Sequence, residues 1–182
     1  MIKSSDSIRT ARRLIGTPYS ELDCINLIKK VIRTAPGGVK NYTTAGTNSL
    51  WDSFDMSAKY RDLIERHDGI DGVPAGAISF KHSGDDYHHA SIATGTGTVI
   101  HSSSTQGGRG VVETPLTASE GWNCWGVHRY IEAADGAAES EVGTVAEYKM
   151  QVRLIDPTST VNVRKGPSLR NDIIGRWGTV QL

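Results

Sequence analysis

The hydrophobic period of this chain switches from helical to alternating between Arg66 and Ala77, which calls for helices first and a sheet second. Ile25, Leu27, Ile28, Val31 and Ile32 form a broad apolar stripe on a helix running from about Asp23 to Arg33. Lys29, Lys30 and Arg33 lie toward its C-terminus, where the helix dipole favours cations. Ile8, Ala11, Leu14 and Ile15 predict an earlier helix over Ser7–Ile15, stopped by Gly16-Thr17-Pro18. Ser49–Phe54 and Ser57–Arg66 read as two short helices, and the segment from Ala35 to Ala45 as a loop. Strands are expected at Ala77–Phe80, His89–Ala93, Thr98–Ser102, Gly110–Glu113 and Trp122–Ile131. The class is α+β, with N-terminal helices packed on an antiparallel sheet.

A chain of 182 residues can hold one good-sized domain, or one domain plus a small appendage. Glu132–Glu147 is small, acidic and free of aromatic residues, the composition of a linker. The division expected is a main domain over 1–132, a linker over 133–147 and a tail domain over 148–182. Twenty basic residues balance twenty acidic ones, so bulk charge gives no sign of a nucleic-acid partner. No run approaches the ~20 apolar residues of a membrane helix. The first residues lack the apolar core of a signal peptide, so synthesis in the cytoplasm is expected. Two cysteines make no disulfide framework.

Cys24 follows Asp23 at the opening of the second helix. Unpaired N–H groups and the positive end of the dipole there predict a lowered thiol pKa. By position alone, a cysteine on an apolar helix face is more often simply packed. His89 opens an alternating strand that ends in Thr-Gly-Thr-Gly, and His101 follows on the next strand. A hairpin would bring both imidazoles to one face, the layout of a thiol, a general base and a group orienting that base. A solvated His88–His89 pair at a strand start is the plainer alternative. Cys124, in Trp-Asn-Cys-Trp-Gly, reads as a packed thiol, and Trp51 as a core residue on a short helix.

Taken together, Gly16-Thr17-Pro18-Tyr19, Asp23-Cys24 at a helix start, His89-Ala-Ser-Ile-Ala-Thr-Gly95 and Ile100-His101-Ser102 resemble the signature of the NlpC family of cell-wall cysteine peptidases. The likeness runs from about residue 7 to residue 131. It implies a papain-like fold, with Cys24 as nucleophile, His89 as base and His101 orienting His89. Tyr19 and Asp23 would meet substrate, with Tyr19 also a candidate oxyanion donor beside the Cys24 N–H. His88 competes for the role of base, but His89 aligns the downstream strand without a gap. No metal or cofactor is implied. The implied substrate is the stem peptide of peptidoglycan, cut at the D-glutamyl to diamino-acid bond by a monomeric enzyme. Departures from the pattern are the short Ser20-Glu21-Leu22 stretch, Ile25-Asn26 after the cysteine, and Ala75-Gly76-Ala77 where Pro-Gly-Asp is common.

Val161-Asn-Val-Arg-Lys-Gly-Pro-Ser168, followed by Ile173–Val180, resembles the bacterial Src-homology-3-like wall-binding module. Only part of such a barrel fits after the linker, so a partial module is expected. A phage-type lysin released at lysis, or a wall enzyme exported by another route, would suit this combination. The rival readings are an N-acetylmuramoyl-L-alanine amidase with the same triad, a non-catalytic wall-binding protein, and a metal site built from Cys24, His89 and His101. The last lacks any close Cys-x-x-Cys or His-x-x-x-His pair.

Overall fold

A computed structural model describes residues 1–52, 63–105 and 110–134, together with strands Val161–Arg164 and Ile173–Trp177. The chain divides into two compact units, Met1–Val142 and Gly143–Leu182.

The first unit opens with a two-residue strand, β1 (Ile2–Lys3), and helix α1 (Ser4–Arg12). That helix sits three residues earlier than its periodicity predicts. Pairing of Ile2 with Ile131 anchors its start, so Ser4, Ser7, Ile8 and Ala11 face inward while Ile15, expected on the apolar face, is 46% exposed. Helix α2 (Cys24–Thr34) buries Cys24, Ile25, Leu27, Ile28, Val31 and Ile32, the predicted stripe. The Asp23 carboxylate caps it by accepting from the Asn26 N–H at 2.8 Å, satisfying one of the orphan donors of the first turn. Helix α3 (Thr47–Trp51) is shorter than the predicted Ser49–Phe54, whose last two residues lie outside the described ones. Trp51 is buried as expected, stacked on Tyr87 and edge-on to Phe80.

A six-stranded sheet follows, with strands β2 (Ile64–Asp68), β3 (Ile78–Ser83), β4 (Asp86–Ala93), β5 (Thr98–Ser102), β6 (Val111–Pro115) and β7 (Cys124–His128) in the order β2-β7-β3-β4-β5-β6. All of its pairings are antiparallel. One prediction fails here. Ile64–Arg66, expected to close a helix, belongs to β2, an edge strand held by full pairing with β7 and by His67 stacked on Trp125 at 4.0 Å. Residues 57–62 of that predicted helix lie outside the described ones. The long strand expected over Trp122–Ile131 is two strands, β7 and β8 (Ile131–Glu132), the second pairing with β1.

The helices cover one face of the sheet through a core that includes Leu27, Ile28, Ile78, Phe80, Ala90, Ile92 and Ile100. A smaller cluster of Ala77, Ala93, Val99, Trp122 and Trp125 involves the residues that alternate with these along the strands. In the loop after α2, Tyr42 is fully buried and its hydroxyl lies 3.1 Å from His128 Nε2. Among the described residues no helix is long and apolar enough to cross a membrane.

The second unit contains an antiparallel pair, β9 (Val161–Arg164) with β10 (Ile173–Trp177), irregular between Ile173 and Gly175. Most of the predicted linker, from residue 135 onward, lies outside the described residues, and the first part of it, Ala134, bridges to Ala75.

Candidate active site

The site forms where the sheet comes apart. Strands β4 and β5 pair only at Ile92↔Ile100 and Ala93↔Val99, and toward His89 and Ser102 the ladder stops. The start of α2 enters this opening and is tied to both strands. Ser102 donates its hydroxyl to the Leu22 carbonyl at 2.5 Å on the β5 side, and the Ala90 N–H of β4 points to the Cys24 sulfur. A second tie holds the preceding loop. Gly16 donates to Val111 at 2.9 Å, Val111 donates to Thr17 at 2.9 Å, and Pro18 bridges to Gly110. Gly110 must be glycine for this approach, because a Cβ there would run into the Thr17 carbonyl.

Cys24 is thereby brought to the residue that follows His89. Its sulfur is met by three backbone N–H groups, those of Ala90, Ile25 and Cys24 itself. The expectation of a lowered thiol pKa is nevertheless overturned. Burial dominates and pushes the thiol above its ordinary value; the N–H groups oppose this only in part, and the Asp23 charge adds to the rise. The dipole argument considered the helix alone and left out the two strands that take the sulfur out of water.

His89 and His101 meet as the hairpin reading expects. His89 Nε2 lies 2.8 Å from His101 Nδ1, with the rings perpendicular. His101 is fully buried, and its other nitrogen lies 3.0 Å from Thr114 Oγ1 on β6. Burial holds both imidazoles neutral. His89 is pushed down to about 3, chiefly by desolvation and then by His101, Lys81 and His88; His101 is pushed down to about 4 by desolvation and Lys81. His88, the competing base, is exposed and turns its Nδ1 to the Asp86 carbonyl at 3.2 Å.

Tyr19 is half-buried close to the thiol, and its hydroxyl is raised by burial and by the Cys24 and Asp23 charges. Asp23 is occupied in part as the helix cap. A cleft of about 330 Å³ opens beside the imidazoles, lined by Tyr19, Lys81, His88, His89 and the segment Ser103–Thr105. Cys124 is fully buried on β7, with its thiol pushed up to about 12 by burial. Among the described residues no group of three histidine, cysteine, aspartate or glutamate side chains is placed to hold a metal ion.

Three neighbours escaped the sequence reading. Trp122 lies against both imidazoles, with ring centroids 5.6 Å from His89 and 5.3 Å from His101. Lys81 stands directly opposite His89 in the β3–β4 register, with its ammonium 4.6 Å from the Trp122 ring centre. Thr114 reaches His101 from β6. Lys81 and Thr114 come to the site through strand register and Trp122 from the turn before β7, and no local motif marks any of them.

No protein-family model matches the chain, and no curated protein matches it. Among solved structures, it is similar to the NlpC/p60 domain of the peptidoglycan hydrolase SagA, with a TM-score of 0.46 and 21% identity over 68% of this chain and 97% of that one. It is also similar to the peptidoglycan hydrolase RipB from Mycobacterium tuberculosis, with a TM-score of 0.49 and 17% identity over 71% of this chain and 65% of that one.

Proposed function

We propose that the first unit is a cysteine peptidase that cuts the stem peptide of peptidoglycan, with Cys24 as nucleophile, His89 as general base and His101 orienting the base. One observation carries the reading: the backbone N–H of Ala90, the residue after His89, lies near enough to the Cys24 sulfur to favour its thiolate, and His89 Nε2 is itself 2.8 Å from His101 Nδ1. The resemblance of the Gly16–Tyr19, Asp23-Cys24, His89–Gly95 and Ile100–Ser102 segments to the NlpC family supplies the substrate class. It also suggests the bond, D-glutamyl to diamino acid.

The chemistry follows from the protonation states. A raised thiol beside a depressed imidazole rests as a neutral pair, so the proton leaves sulfur as the carbon–sulfur bond forms. Because His89 Nε2 is engaged by His101, Nδ1 is the nitrogen that takes the proton. His89 then delivers that proton to the departing amine, leaving an acyl-enzyme. Water, deprotonated by the same nitrogen, attacks the thioester, and the sulfur takes the proton back. The Cys24 backbone N–H at the helix start is the nearest candidate for stabilising the tetrahedral oxyanion, with the Tyr19 hydroxyl as its partner. Asp23 is suited to a substrate amine through the part of its carboxylate not used in capping.

Residues 148–182 we read as belonging to a wall-binding module joined by a linker over 133–147; the Val161–Ser168 motif and the β9–β10 pair support this. The test of the whole proposal is mass analysis of the fragments released from purified cell wall by the native protein and by Cys24→Ala. Release of new amino termini by the native protein alone is expected. Equal release by both proteins, or none by the native one, overturns it.

A further inference from the structure

Lys81 is placed as a binding residue, although the reaction as derived gives it no task. It is directly opposite His89 on the neighbouring strand, an arrangement that sets the two side chains about 5 Å apart at their Cβ atoms on one face of the sheet. Its stem passes over Gly121, where even an added Cβ would come no closer than 3.6 Å to Lys81 Cδ. Its ammonium rests over the Trp122 ring. That indole also touches both imidazoles, so one rigid aromatic plate fixes the spacing between the cation and the His pair.

Among the described residues Lys81 is the only lysine or arginine lining the cleft, and none of their carboxylates lies within ion-pairing distance of it. Glu120 attracts it through space. Burial lowers its pKa, meaning the charge sits where water screens it poorly and an incoming anion would be attracted strongly. The remaining polar lining, Tyr19, Ser103, Ser104 and Thr105, offers hydroxyl donors. One ammonium among hydroxyls suits a singly charged anion; a phosphate dianion would call for more positive charge.

We infer that Lys81 anchors a carboxylate of the substrate beside the scissile amide, making the protein selective for stem peptides whose acid group next to that bond is free over those in which it is amidated. This rests on the peptidase reading and adds a substrate preference to it. Selectivity would come from the desolvated charge: a neutral amide placed there leaves the ammonium without its partner.

The test is calorimetric binding to Cys24→Ala protein of the tripeptide L-alanyl-γ-D-glutamyl-diaminopimelate and of its glutamyl α-amide. The acid is expected to bind tighter by about tenfold or more, the size of a hydrogen bond to a charged group. Adding Lys81→Met should collapse the difference to within about twofold, while Lys81→Arg keeps it. Thermal melting confirms that each variant is folded. Equal binding of acid and amide by the Cys24→Ala protein, binding of neither, or an equal loss for both on Lys81→Met overturns the inference. An acid preference in a native protein that cleaves neither peptide would overturn the peptidase reading and leave the anchor standing.

Discussion

Thr114→Val isolates the proton wiring behind the base. His89 can accept a proton on Nδ1 only if its own hydrogen is on Nε2, and that hydrogen must then be donated to His101 Nδ1, 2.8 Å away. His101 is left with its hydrogen on Nε2, which donates to Thr114 Oγ1 at 3.0 Å. Valine keeps the shape and strand preference of threonine and deletes only that acceptor. An N–H on a fully buried ring then loses its partner, which costs about 1–3 kcal/mol. Thr114 is itself half-exposed, and water reaching its place holds the cost near the low end. The escape is to move the His101 hydrogen to Nδ1, which forces the His89 hydrogen onto Nδ1, the nitrogen proposed to take the thiol proton, where it blocks that acceptance. About 1.4 kcal/mol against the productive tautomer is a tenfold loss of competent enzyme. Steady-state kinetics on a stem peptide should show kcat falling about tenfold with KM within about twofold, since the effect is on chemistry and not on ground-state binding. Thr114→Ser should restore kcat, and nitrogen-15 spectra of the imidazoles should report the tautomer change. A valine variant with unchanged kcat, or a serine variant as impaired as the valine one, refutes the wiring.

Two further outcomes follow from the burial of the site. Alkylation of Cys24 by iodoacetamide should accelerate with an inflection above the ordinary thiol value of 9.0, and Cys124 should stay unlabelled in the folded protein. An inflection below neutrality would mean a resting thiolate–imidazolium pair and contradict the neutral-pair mechanism. Stability should fall in acid. His89, His101 and His128 titrate near 3, 4 and 3 when folded and near 6.5 when unfolded, so below 6.5 the unfolded chain binds more protons. Their contribution is complete above pH 6.5 and is lost progressively as pH falls toward the folded values. Melting temperature should therefore drop steadily from pH 7 to pH 4, and a flat profile over that range would show these rings to be hydrated.

What the sequence reveals, and what it hides, follows from the range of the interactions involved. Helix α2 is legible because its stripe is local and its cap is the residue before it; Thr98–Ser102 is legible because Gly95 and Gly97 mark the turn that starts it. The His89–His101 pair is also legible, since one short turn fixes which face both rings share. Strand β2 is not. Of Ile-Glu-Arg-His-Asp only Ile64 is buried, and the segment is a strand because β7 pairs with it along its whole length. The pKa of Cys24 fails for a related reason: helix position is a local property, but the desolvation that outweighs it comes from strands more than sixty residues away in sequence.

Lys81 and Thr114 are hidden at a further remove, because their importance depends on register. Lys81 faces His89 only because β3 and β4 pair as Lys81↔His89; shifting that pairing by one residue would send its charge to the helical core. The same alternation places Ala90 toward the core and His89 toward the cleft. The thiol comes up to β4 at Ala90, the neighbour of His89, because β5 has already parted from β4 there, leaving the Ala90 N–H for sulfur. Extending the β4–β5 ladder by two more pairs, to Ala90 and Ser102, would give that N–H a carbonyl partner and close the opening that the start of α2 enters. The interrupted ladder is thus the structural condition for the proposed chemistry, and the bonds from Ser102 to Leu22 and from Val111 to Thr17 hold it open.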